Sequence, residues 1–197
     1  GRVQTITATA LTAAALLGHH RRSCPAGEVA ARIALMRRLA NARGARFSRV
    51  VEGAGSDPVA PGPLHEAIAG FAKDGQVNVQ QVDGETFYQV KEEGRSLLSF
   101  YKNNIVHHFE EEAILAASLL SFPGGRASMD ELLPRVAFLS RLLKRELSFR
   151  ALPLQTIVER TVELMDGLGL VAARDGEEIR ALPEGMEALA FLRALLG

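Results

Sequence analysis

Two Asp-Gly pairs recur at one interval and set most of what this chain can become. Asp74-Gly75 and Asp83-Gly84 return as Asp166-Gly167 and Asp175-Gly176, 92 residues on, which brings Phe87 onto Ile179 and Val79 onto Val171. In the first copy QVNVQQV and ETFYQV alternate with period two on either side of Asp83-Gly84. That dipeptide marks a type I′ hairpin, because both turn residues need positive φ. In the second copy LVAARDGEEIRAL places Asp175-Gly176 between two shorter strands. A helix precedes each hairpin and is closed by Asp-Gly. GPLHEAIAGFAKDG has Pro63 in its first turn and Leu64, Ile68 and Phe71 inward; LQTIVERTVELMDG buries Ile157, Val158, Thr161, Leu164 and Met165. A helix also follows each hairpin, one from Gly94 that breaks near Phe109 and continues to Leu120, the other from about Glu184 to Leu196. The expected fold is mainly α with small antiparallel β-hairpins, arranged as two winged-helix-like units joined by helices.

The remaining segments fit around these units. TITATALTAAALLG has threonines to cap a short buried helix and Gly18 to end it. In SCPAGEVAARIALMRRLANARG, Ser23 caps, Pro25 sits in the first turn, and Val29, Ile33, Met36 and Ala40 form one apolar stripe before Gly44. VEGAGSDPVAPG is a loop. Ser128-Met-Asp-Glu131 is a capping box that opens a helix to about Leu147, bent by Pro134. The expected domains are a helical pair at 1–49, a loop at 50–62, and helix/hairpin/helix units at 63–121 and 126–197.

Lys plus Arg and Asp plus Glu both number 23, so any charged partner must be met by a local patch and not by a global field. The single cysteine, Cys24, excludes an internal disulfide and a thiolate zinc site, and suits a reducing, cytoplasmic compartment. The opening GRVQT has no basic-then-apolar leader, and the chain reads as part of a longer protein. Its apolar runs fall short of the roughly 20 residues that span a bilayer, so no transmembrane helix is expected.

The densest concentration of chemical groups is FYKNNIVHHFEEE, residues 100–112. On one helix His107 would share a face with Glu111, and His108 with Glu112, but a metal needs three or four convergent ligands and none is expected. His107 and Glu112 also have the spacing of a His, four residues, Asp dyad. On a regular helix positions i and i+5 point about 140° apart, so they would not share a proton. His19 and His20 meet Cys24 and Pro25 at that interval, and His65 meets Gly70. With no dyad, phosphate loop or nucleophile elbow, catalysis by this chain alone and a cofactor are not expected. His107 is expected to satisfy a buried hydrogen bond beside Asn103 or Asn104, with Phe100, Ile105 and Phe109 as core.

The best candidate for contact with an anionic surface is RVAFLSRLLKRELSFR, where Arg141, Lys144, Arg145 and Arg150, with Arg135, accompany Val136, Leu139, Leu143 and Leu147 on an amphipathic helix. A solvated face is the plainer alternative. Winged-helix units often bind DNA, but neither recognition-helix position, 64–73 or 157–165, is strongly basic, so no nucleic acid is expected.

FYKNNIVHHFEEEAILAASLL resembles a segment of the PlsB-type bacterial glycerol-3-phosphate acyltransferases: a tyrosine, a basic residue, two asparagines, Ile, any residue, His. It lies there C-terminal to the acyltransferase domain. RVQTITATALTAAALLGHHRRSCPAGEVAARIALMRRL and LLPRVAFLSRLLKRELSFR resemble further helices of the same region, in the same order over nearly the whole chain. Tyr101, Lys102, Asn103, Asn104, Ile105 and His107 fall on the first segment, and Lys144, Glu146 and Leu147 on the last. The resemblance implies a parent enzyme that moves an acyl group from acyl-CoA or acyl-carrier protein to glycerol 3-phosphate, giving lysophosphatidic acid without a metal. That enzyme lies peripherally on the cytoplasmic face of the inner membrane. The family's dyad and phosphate-binding arginines have no counterpart here, so this region is expected to be non-catalytic. Tyr101, Lys102, Asn103, Asn104 and His107 then sit at an interface with the upstream domain or in the core. The same region of a dihydroxyacetone-phosphate acyltransferase, or a tandem winged-helix binding module, remains an alternative.

Overall fold

Thr7 accepts a hydrogen bond from the Ala10 amide at 3.3 Å and so starts α1 (Ala8–Leu17) with a threonine cap. The computed structural model describes residues 5–18, 23–143, 152–174 and 178–197. The chain divides into two units, Gly1–His108 and Phe109–Gly197, and is mainly helical with two three-stranded antiparallel sheets.

The first unit continues with β1 (Cys24–Pro25), α2 (Ala26–Ala42), α3 (Arg49–Glu52), α4 (Pro63–Lys73), β2 (Val77–Val82) and β3 (Glu85–Val90). A 3-10 turn at Glu92–Gly94 leads into α5 (Arg95–Asn103), and another follows at Val106–His108. α1 is buried nearly all round and packs against α2, α4 and α5. Val29, Ile33, Met36 and Ala40 form the inner stripe of α2, as their spacing predicts. Ser23 does not cap this helix. Cys24 and Pro25 are drawn into a strand opposite Tyr88 and Phe87, and Pro25 becomes the N-cap without a side-chain hydrogen bond. The loop expected over 50–62 begins inside the short helix α3.

The second unit holds α6 (Glu110–Leu120), a 3-10 turn at Pro123–Gly125, β4 (Arg126–Ala127), α7 (Met129–Leu142), α8 (Leu154–Gly167), β5 (Val171–Arg174) and β6 (Glu178–Ala181). It closes with a 3-10 turn at Pro183–Gly185 and α9 (Met186–Ala194). α6 is the central element and packs against α7, α8 and α9. The capping box of α7 is complete: Ser128 Oγ accepts from the Glu131 amide at 3.3 Å, and the Glu131 carboxylate accepts from the Ser128 amide at 2.9 Å. Pro134 lies inside α7, whose described span is Met129–Leu142; the expected end at Leu147 lies outside the described residues. The unit boundary also divides the segment expected as one block at 63–121, and 1–49 joins 63–108 because α1 packs on α4 and α5.

In each unit a helix precedes a short strand, and a hairpin, a 3-10 turn and a helix come later; between the short strand and the hairpin the first unit has α2, α3 and α4 where the second has α7 and α8 among the described residues, and in both sheets the last strand lies between the other two. A single offset of 92 does not carry through the hairpins, however. Val77 pairs with Val90 where Val171 pairs with Ala181, so buried Val171 occupies the place of buried Val77 and not of exposed Val79. Beyond the turn, Tyr88 faces Cys24 as Ile179 faces Ala127. Two residues, Asp83 and Gly84, both with positive φ, link Val82 to Glu85, whereas three separate Arg174 from Glu178. Asp175-Gly176 lies outside the described residues.

Candidate functional site

The helix expected to run from Gly94, break near Phe109 and continue to Leu120 is three elements. α5 stops at Asn103 because its next residues tighten: the Asn104 amide donates to the Tyr101 carbonyl at 3.2 Å and Ile105 to Lys102 at 3.0 Å. The 3-10 turn at Val106–His108 follows, with Ile105 and Val106 buried, and α6 starts only after buried Phe109. The break runs from Asn104 to Phe109, so it ends at the position expected from sequence and begins before it. His107 and Glu112 therefore share no helix and fall in different units. Glu112 is buried in α6, at 1% exposure, while His107 is exposed in a 3-10 turn. The proposed pairs His107/Glu111 and His108/Glu112 lose their common helix too, and Glu111 accepts from Thr161 Oγ1 at 3.4 Å. Among the described residues no group of three His, Cys, Asp or Glu side chains is placed to hold a metal.

The signature residues divide by face. Lys102 is buried and Tyr101 half-buried, its ring 5.9 Å from Phe71 and 5.6 Å, edge-on, from Phe100. Asn103, Asn104 and His107 are exposed, and so is Phe100, at 62%. The core alternative for Asn103, Asn104, His107 and Phe100 is thereby corrected. All four stand outward, Phe100 and Asn103 one turn apart on α5, Asn104 at its C-cap and His107 in the 3-10 turn that follows. The His107 ring lies 4.0 Å from that of His108, and partial burial holds its pKa below the usual 6.5. This surface offers two amides, a neutral imidazole and an aromatic ring: donors, acceptors and apolar area, but no charged acid and base in reach of one another.

Cys24 is buried, and desolvation pushes its thiol up to about 11 against the lowering effect of Arg32. The Arg32 guanidinium ties the region together, donating to the Ala15 carbonyl at 2.9 Å and to Glu28 at 3.2 Å. Burial in this setting favours the protonated thiol.

The cationic helix differs from its expectation in which side is apolar outward. Val136 is buried and Leu139 and Leu143 are half-buried, so the apolar residues named from sequence face the unit's core. Outward stand Phe138, at 52% exposure, and Leu142, at 63%, one turn apart beside exposed Arg135 and Arg141. Their i, i+4 spacing was visible in the sequence but was masked by the stronger run of neighbouring leucines. Lys144, Arg145, Leu147 and Arg150 lie outside the described residues. No helix among the described residues is long and apolar enough to cross a membrane.

The family model for the glycerol-3-phosphate acyltransferase C-terminal region matches residues 1–197. Comparison with the curated proteins returns no match.

Proposed function

The chain belongs to the glycerol-3-phosphate acyltransferase C-terminal region family, and from that premise we propose that it is a non-catalytic, accessory region of an enzyme that acylates the first hydroxyl of glycerol 3-phosphate. The donor is acyl-CoA or acyl-carrier protein and the product lysophosphatidic acid. The observation that carries this reading is the family match over the whole chain. Two further observations support it: burial favours the protonated form of the Cys24 thiol, and the 3-10 turn that holds His107 carries no carboxylate. The catalytic base and the phosphate-binding cations then belong to an upstream domain of the same polypeptide, on the cytoplasmic face of the inner membrane.

Within this reading Phe100, Asn103, Asn104 and His107 form the surface on which that domain seats. An exposed aromatic ring flanked by amides that donate and accept is suited to a wet, specific contact. The shared strand order of the two sheets, with the last strand central in each, supports a duplicated winged-helix-like layout, used for protein contact. The 197-residue chain should form no lysophosphatidate from acyl-CoA and glycerol 3-phosphate, and product formed by the pure chain would refute the assignment. In the whole enzyme, Asn103→Ala with Asn104→Ala should lower activity while leaving the melting of this chain unchanged; full activity would remove the seating role.

A further inference from the structure

Each sheet leaves its first two strands as edges, and three of these four edges are guarded. β1 is two residues long and ends in Pro25, which has no N–H to offer; β4 is also two residues and begins with Arg126; β5 has four and closes on Arg174. β2 is the exception. Its six residues, VNVQQV, carry no charge and no proline. They pair with β3 in unbroken register from Val77↔Val90 to Val82↔Glu85, so no bulge turns the edge aside. Val79 is 46% and Val82 52% exposed, and Gln80 and Gln81 are exposed between them.

The alternation of an antiparallel ladder decides which backbone groups this edge presents. The Lys91 amide donates to the Gln76 carbonyl at 2.9 Å, and the two-residue turn at Asp83-Gly84 makes Val82 and Glu85 the closing hydrogen-bonded pair. Both ends of the strand therefore direct the main-chain groups of its even-numbered residues toward β3. Val77, Val79 and Gln81 turn theirs outward, and no strand among the described residues lies beyond them.

We infer that β2 pairs antiparallel with β2 of a second copy of this chain, about a two-fold axis through Val79. In that register Val79 opposes Val79 of the second copy, and Val77 opposes Gln81, so every outward-turned residue of both strands exchanges hydrogen bonds. Sliding the axis by one residue either way leaves one of them unmatched. The strand is its own complement: valine meets valine on one face, the Asn78 amide meets the Gln80 amide on the other, and no like charges are opposed. Because the other edges are guarded, pairing closes at two copies. One pair of strands is a small contact, so the association is reversible and rises with concentration. The inference stands apart from the acyltransferase assignment, since its readout contains no acyl transfer.

The test is sedimentation velocity of the 197-residue chain at rising concentration, up to about 1 mM. A monomer–dimer equilibrium that stops at two is the expected result. Val79→Lys and Val79→Glu each place like charges face to face on the axis and should weaken association by at least about tenfold, whereas an equal mixture of the two variants should associate again as lysine meets glutamate. Hydrogen exchange on the parent chain gives a second readout that needs no variant. The Val79 and Gln81 amides should slow as dimer forms, while those of Asn78 and Gln80, already bonded to β3, stay unchanged. A chain that remains monomeric at the highest concentration, association indifferent to Val79→Lys, or a mixture no better than either variant alone would each overturn the inference. So would growth beyond the dimer, or slowed exchange at Asn78 and Gln80 in place of Val79 and Gln81.

Discussion

A Cβ added at Gly94 would lie 2.5 Å from the carbonyl oxygen of Gln76, and one at Gly185 would lie 2.4 Å from that of Leu170. Neither carbonyl can retreat freely, because each accepts a backbone hydrogen bond from the end of its hairpin, from Lys91 at 2.9 Å and from Leu182 at 3.1 Å. The two glycines let the 3-10 turn pass directly over the strand entrance, which is why a small residue precedes the last helix of each unit. Gly94→Ala and Gly185→Ala should each destabilise the chain by about 2–4 kcal/mol, read as a lower urea midpoint at constant m-value; a change near zero would mean the backbone relaxes and the approach is not a constraint. Glu131 makes a second residue-level case, with a definite sign. Its hydrogen bonds from the Ser128 amide and hydroxyl hold its pKa below the usual 4.5. A carboxylate whose folded value is depressed stabilises the fold above its unfolded value, and that contribution is lost as pH falls through the folded value. Glu131→Gln should therefore melt lower than the parent at neutral pH, and the two melting temperatures should converge as pH drops below 4.5. A gap that stays constant with pH would assign the effect to something other than the charge.

At the level of elements, the sequence was legible where one residue type has one solution. Asp83-Gly84 made the hairpin, Ser128 and Glu131 made the cap, and the apolar spacing of α2 and α4 made their inner faces. It misled where two solutions compete. Asp166-Gly167-Leu168-Gly169 contains two glycines able to end a helix, and the interval between Asp-Gly pairs favoured the first. The structure uses the second: α8 runs through Gly167, and Gly169 takes φ of 72° as Gly75 takes 73° after α4. The reason is the strand that follows. With Gly169 in the left-handed region, the Leu170 amide reaches the Met165 carbonyl at 2.9 Å, as Gln76 reaches Phe71 at 2.8 Å, and Val171 enters the sheet with its side chain inward. The signature segment was misread for a related reason, since nothing local in 100–112 announces that the turn at 104–108 tightens with Ile105 and Val106 buried. The element-level prediction separates the two glycines by sign. Gly169→Ala should destabilise by about 1 kcal/mol, like Gly75→Ala, whereas Gly167→Ala, helical and with open space at its Cβ, should stabilise by up to about 1 kcal/mol. Equal effects at 167 and 169 in chemical denaturation would refute this account of where α8 ends.

For the whole molecule, the division at His108/Phe109 assigns separate cores to the two units: Leu11, Ile33, Met36, Leu39 and Leu98 in one, Ile114, Leu115, Leu119, Leu132 and Leu192 in the other, all fully buried. Segments of roughly 90–110 residues are long enough to bury a core of their own. The chain has no Trp and two Tyr, and both of these, Tyr88 and Tyr101, belong to the first unit. Tyrosine emission therefore reports the first unit, while far-ultraviolet circular dichroism reports the helices of both. Leu132→Ala opens a cavity under α7 in the second unit and should cost about 2–5 kcal/mol there, equivalent to a fall of at least about 8 °C in that unit's midpoint. If each core unfolds on its own, the substitution splits the dichroism melt into two steps and leaves the tyrosine-detected midpoint in place, and Leu98→Ala does the reverse. A common shift of both signals by both substitutions would show one cooperative molecule, and the boundary at residue 108 would then describe geometry without describing how stability is divided.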